Sequence, residues 1–160
     1  TDTIESLLVN SLMDNHPEVA TRLIQHTKNP QEREEVLSNF RSKEGSGMLV
    51  STYANQGYDN DKIHFVIIVK LPFLSLGDTK VRLRMQENEV WYQTYTVRML
   101  LQMYGRAMRS KDDWGHVYLI DVHFPHWFRT RNIGRLIPPY IQDAMDIGKK
   151  VASNTGNTLT

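Results

Sequence analysis

The chain has 160 residues, 40% of them hydrophobic and 23% charged, and a formal net charge of +1, a size that predicts one domain with a proper core. It contains no cysteine, which excludes disulfides and thiolate catalysis or ligation and suits an intracellular protein. There is no run of about 18 apolar residues, and Thr1 to Asn15 lacks a basic start and a signal-type apolar core, so neither a membrane span nor a targeting segment is expected.

Thr3 to Asn15 predicts a short helix, with Ile4, Leu7, Leu8, Ser11 and Leu12 at helical spacing. Pro17 breaks it. Arg22 to Gln25 is a brief strand candidate, and His26 to Pro30 a turn that places proline at the next helix start. Gln31 to Lys43 reads as an amphipathic helix, with Val36, Leu37 and Phe40 inward and Glu32, Arg33, Glu34 and Glu35 outward. Gly45-Ser46-Gly47 ends it.

Gly47 to Thr52 is a short apolar strand and Ile63 to Leu71 a longer one. Neither alternates cleanly, which suits burial on both faces of a parallel sheet. Strand, loop, strand and intervening helices predict a doubly wound α/β arrangement, whose ligand edge lies at the C-terminal ends of the strands. Ser51, Thr52, Gln56, Gly57 and Asp59 fall at that edge. Taken singly, each also has a structural explanation: Gly57 permits a positive φ, Asp59 caps a turn, and Ser51 and Thr52 satisfy strand-end amides.

Leu74 to Asn88 has no clear period, and its Lys80, Arg82 and Arg84 form a solvated or phosphate-facing stripe. From Trp91 the residues are helix formers or aromatics until Gly105. On a helical wheel Val97, Leu100, Leu101, Tyr104 and Met108 share one side, while Gln102, Arg106 and Arg109 fall together on the other. Two arginines one turn apart, beside a glycine that lets another group approach, suit a polyanion better than a single carboxylate; the plain alternative is a solvated helix face. Residues 80–135 hold ten Lys/Arg against five Asp/Glu, so the basic half of the chain coincides with this stretch. His116 to Asp121 is a further apolar strand. His116, His123 and His126 bring no matching third-ligand motif, so no metal site is expected, and Trp127 is read as core. Pro138-Pro139 starts a last helix, Tyr140 to Lys150, with Ile141, Ala144, Met145 and Gly148 on one side. The chain is thus one domain over residues 1–150, followed by a disordered polar tail over 151–160.

The combined pattern resembles a known family. Gln102, Gly105, Arg106, Arg109 and Ser110, followed by Asp113-Trp114-Gly115 and a strand ending in Asp121, look like motif VI of superfamily 2 helicases of the DinG/XPD type. Gly57, Asp59 and Leu71-Pro72-Phe73 resemble motif V of the same helicases. Gln56 stands where that family usually has glutamate, and Val122-His123-Phe124 where it continues x-Arg-aromatic.

The resemblance implies a RecA-like parallel sheet with flanking helices, lacking its first strand, which should carry motif IV before Thr3. It implies that Arg106 and Arg109 reach the γ-phosphate of an ATP held by another domain. Gln102, Gly57 and Asp59 would face the nucleotide, and Ser51 and Thr52 the nucleic-acid backbone. The sequence has neither a G-x-x-x-x-G-K-[ST] loop nor an Asp-Glu-x-[HD] box, so ATP and Mg²⁺ would both need an N-terminal RecA-like domain. The expected function is the C-terminal motor domain of an ATP-dependent helicase acting on nucleic acid, single-stranded DNA by resemblance, with the 160-residue chain inactive alone. The alternative is a non-catalytic RecA-like module that binds nucleic acid or a protein partner.

Overall fold

A computed structural model describes residues 2–25, 29–42, 47–51, 63–108 and 114–145. The chain divides into two compact units, Thr1–Lys62 and Ile63–Thr160.

The first unit is built on a strand–helix–strand crossover. Helix α1 (Asp2–Asn15) is followed after His16 by a short second helix, α2 (Pro17–Ala20). Proline at its first position explains the abrupt restart, because the missing N–H is one that no helix start can satisfy internally. Strand β1 (Leu23–Gln25), helix α3 (Pro30–Ser42) and strand β2 (Met48–Val50) come next. β1 and β2 pair in parallel, with Leu23 opposite Met48 and Gln25 opposite Val50. On α3 Leu37 is buried and Val36 and Phe40 are half-buried, as the amphipathic pattern predicts. The Phe40 ring lies so near Gly47 that a Cβ there would stand 3.2 Å from it. Helix α1 departs from its predicted face: Val9 is buried whereas Leu7 is 65% exposed. The apolar residues spread too widely around this helix for spacing alone to select the buried arc.

The second unit carries the larger core. Strands β3 (Phe65–Ile68) and β4 (His116–Leu119) pair in parallel, Phe65 opposite His116 and Ile68 opposite Leu119. Between them run helices α4 (Thr79–Glu87) and α5 (Glu89–Tyr104). Helix α6 (Phe124–Thr130), a 3₁₀ turn (Ile133–Leu136) and helix α7 (Pro139–Ala144) close the unit. Asn132, at φ 51°, leads into the 3₁₀ turn, a left-handed conformation that asparagine tolerates better than most residues. One contiguous cluster joins Ile68 and Leu71 to Val97 and Leu100 of α5, Phe124 and Trp127 of α6, and Ile133, Ile137 and Ile141.

Several expectations are corrected here. β3 is not buried on both faces within this unit: Phe65 is 59% exposed and Ile67 58%, alternating with covered neighbours, and Tyr118 of β4 is likewise 50% exposed. Among the described residues covered and exposed positions alternate along both strands, and a short apolar run does not reveal that. Leu74 to Asn88, which showed no period, contains α4. Its start is fixed by Asp78, whose carboxylate accepts the N–H groups of Lys80 at 2.8 Å and Val81 at 3.4 Å. Helix α6 has no counterpart among the elements that the sequence pattern predicts. The described part of the last helix stops at Ala144, which is exposed, and Met145 has extended backbone. Residues 146–160, including Gly148 and the predicted tail, lie outside the described residues.

Candidate functional site

Helix α5 delivers the arginine stretch. Asn88 caps its start, the side-chain oxygen accepting the Trp91 N–H at 2.9 Å, and Glu89 occupies the first turn. Tyr92, Thr96, Val97, Met99 and Leu100 are buried. Thr96 satisfies its hydroxyl by donating to the Tyr92 carbonyl at 3.1 Å. Gln102, in the last turn, is exposed.

The helix ends at Tyr104, one turn earlier than the wheel implies. Gly105 has φ −63° and ψ −4°, so it is not chosen for left-handed backbone. A Cβ there would meet only the Leu101 and Gln102 carbonyls, at 3.4 and 3.7 Å. Arg106 N–H donates to Met103 and Ala107 N–H to Tyr104, both at 3.1 Å, so the chain tightens into i to i−3 bonds. Arg106 therefore sits on a turn and not on a helical face with Gln102. It is half-buried, with its Nε sealed from solvent, and Ala107 beside it is buried. Arg109 lies outside the described residues, as do Thr52, Gly57 and Asp59. Ser51 directly follows β2 and is half-buried, at the C-terminal end of a parallel strand in the first unit. Of the three predicted site residues that are described, Gln102 and Arg106 fall in one continuous segment and Ser51 in another. Within the second unit the arginine turn adjoins the start of β4, so the rule that places ligands at C-terminal strand ends locates Ser51 but not Arg106.

The opposite ends of β3 and β4 are locked together. Asp121 accepts the Leu71 N–H at 2.8 Å with one oxygen and the His123 N–H at 2.9 Å with the other. Leu71-Pro72-Phe73 is thereby held against β4, and a tight turn follows, Phe73 N–H donating to the Leu71 carbonyl at 2.9 Å. Phe73 stacks on Tyr92 with centroids 5.9 Å apart and meets Trp127 edge-on at 5.4 Å. The Tyr92 hydroxyl donates to the Leu74 carbonyl at 2.8 Å, and desolvation by burial raises its pKa. Trp127, core as expected, donates its indole N–H to Gln93 at 2.5 Å. Sequence reasoning gave Asp121 and Tyr92 no role. For Asp121 the available signal was an acidic residue two positions before an amide at the start of a helix, which is the spacing of an Asx turn.

Among the described residues no group of three or more His, Asp or Glu side chains is placed to hold a metal ion, and no helix is long and apolar enough to cross a membrane. Comparison with known proteins bears on the whole stretch. A Fanconi anemia group J protein homolog from Gallus gallus is 26% identical over 102 residues, covering 53% of this chain and 8% of that protein. A regulator of telomere elongation helicase 1 homolog from Caenorhabditis elegans is 31% identical over 89 residues, covering 41% of this chain and 9% of that protein. The chain thus matches less than a tenth of the length of either relative. The helicase C-terminal domain family matches residues 4–144, from α1 to the end of α7. With that match running through most of both units, and parallel strands joined through helices in each, the chain belongs to the helicase C-terminal domain family and has its α/β, RecA-like fold.

Proposed function

We propose that this chain acts as the C-terminal motor domain of an ATP-dependent DNA helicase, completing an ATP site whose phosphate cradle lies on a separate N-terminal RecA-like domain. The observation that supports this most is the arginine turn. Arg106 is half-buried, on backbone pinned by consecutive hydrogen bonds, at the end of the helix that forms one wall of the core. The donor set suits a polyphosphate, since it offers a guanidinium and the exposed Gln102 amide. It does not suit Mg²⁺, because the described residues bring no carboxylate cluster together; the metal's ligands are assigned to the N-terminal domain.

In this reading bound ATP supplies the transferring phosphoryl group. Arg106 and Arg109 offset the charge that builds on its oxygens, each through a planar fork of N–H donors. Gln102, Gly57 and Asp59 face the nucleotide. Ser51 and Thr52 touch the backbone of single-stranded DNA, and closure of the two domains moves that strand. The name of the Caenorhabditis elegans relative, a helicase, agrees with this activity.

The test is ATP turnover by the complete enzyme, stimulated by single-stranded DNA, with a thermal melt for each variant. Arg106→Ala or Arg109→Ala should lower turnover by roughly 10³–10⁵-fold, the range for arginine fingers. Arg106→Lys should be almost as damaging, because lysine keeps the charge but not the fork. Turnover near wild type in both alanine variants would sink the catalytic reading and leave a non-catalytic binding module.

A further inference from the structure

We propose that Gly115 is a positioning residue for Arg106: the absence of a side chain at 115 lets the arginine turn seat against the start of the β3–β4 ladder. This rests on the reading of Arg106 as a phosphate-facing group. A Cβ on Gly115 would stand 2.7 Å from the Ala107 carbonyl oxygen, 3.0 Å from the Ala107 Cβ and 3.0 Å from the His64 carbonyl oxygen. The backbone at 115 is outside the left-handed region, so glycine is required here by space and not by torsion. None of the three atoms is the tip of a flexible side chain that could swing away.

Both sides of the contact are anchored. On the strand side, the His64 carbonyl already accepts the His116 N–H at 2.7 Å, as the first rung of the ladder. On the other side, Ala107 is buried and directly follows Arg106, and its N–H is bonded to Tyr104. The ladder continues along four paired residues, whereas the turn is a helix end held by the three consecutive N–H bonds of Gly105, Arg106 and Ala107. A methyl group at 115 is therefore relieved by moving the Arg106–Ala107 turn away from the sheet. Reaching an ordinary C···O separation of about 3.3 Å requires a shift of roughly 0.6 Å. A displacement of about 1 Å at a positioned group can cost about 10²-fold in rate. The glycine thus sets the distance from which Arg106 reaches the phosphoryl group.

The experiment is a double-mutant cycle in the complete enzyme, read by DNA-stimulated ATP turnover, the KM for ATP, nucleotide-free affinity for single-stranded DNA, and a melt. Gly115→Ala should lower kcat by about ten-fold or more, with KM and DNA affinity within about three-fold of wild type. In the Arg106→Ala background the same substitution should cause no further loss, because the group it misplaces is gone. Ala107→Val loads the same contact from its other side and should reproduce the effect, which covers the case in which Gly115→Ala does not fold. Full turnover in Arg106→Ala would remove the underlying reading and this inference with it. An inactive Arg106→Ala beside a near-wild-type Gly115→Ala would overturn the positioning role alone. Equal fractional losses in both backgrounds, or failure of both Gly115→Ala and Ala107→Val to fold, would make the contact one of general stability and overturn it too.

Discussion

Asp121→Ala tests whether one carboxylate holds the end of the sheet together. Asp121 bridges two amides 52 residues apart, those of Leu71 and His123. The bond to Leu71 is the more costly to lose. It is partly buried, and Leu71 itself is only 3% exposed, so water cannot readily replace the acceptor. A hydrogen bond to a charged group contributes about 1.5–3 kcal/mol. The exposed bond to His123 is a local Asx turn and adds about 0.5–1 kcal/mol. The expected loss is roughly 3 kcal/mol, or a fall in Tm of about 12–24 °C for a unit of near 100 residues. Asp121→Asn should lose about half as much or more, because its amide offers one acceptor and turns a donor toward the other N–H. Urea denaturation followed by tryptophan fluorescence is a suitable assay, since Trp127 lies in the core cluster that Leu71 shares. A loss below about 0.5 kcal/mol in Asp121→Ala, the level of an ordinary surface change, would refute the bridge. So would an Asp121→Asn variant as stable as wild type.

Two further outcomes are expected. Burial raises the Tyr92 phenol above its ordinary pKa of 10.0, so the unfolded chain ionises first as pH rises. The stability tied to the neutral phenol is intact below about pH 10 and is lost as pH climbs through the raised folded value. Tyr92→Phe should cost about 0.5–1.5 kcal/mol at neutral pH, from the lost bond to the Leu74 carbonyl. It should also flatten the alkaline decline, and an unchanged decline in denaturation free energy above pH 10 would count against a buried neutral phenol. Asp78→Ala removes the cap of α4 and should cost about 0.5–2 kcal/mol, with Asp78→Ser recovering much of it; a serine variant no better than alanine would argue against capping.

Residue pattern by itself determined the elements whose burial is one-sided and long enough to show a period. Helix α5 was legible because Val97, Leu100, Leu101 and Tyr104 recur at helical spacing in a stretch from Trp91 that holds no proline or glycine before Gly105. Helix α3 was legible for the same reason, and the parallel strands because short apolar runs are separated by helices. The arginine motif was also legible, since spacing and turn glycines are local properties. Helix α4 was not: Thr79–Glu87 leaves no residue buried and carries no stripe, so its state depends on the Asp78 cap and on α5 beside it. Helix α6 was hidden because it is only seven residues long, with Phe124 and Trp127 buried by partners distant in sequence. Which face of β3 and β4 the helices cover was equally undetermined, as alternate residues of an apolar run are chemically alike. The wheel placed Arg106 opposite the apolar stripe by assuming that the helix continues. Once α5 ends at Tyr104, that phase no longer applies, and Arg106 stands on a turn whose next residue, Ala107, packs against Gly115. Local spacing specified the chemical groups; their distances and exposure came from long-range packing, which no local pattern encodes.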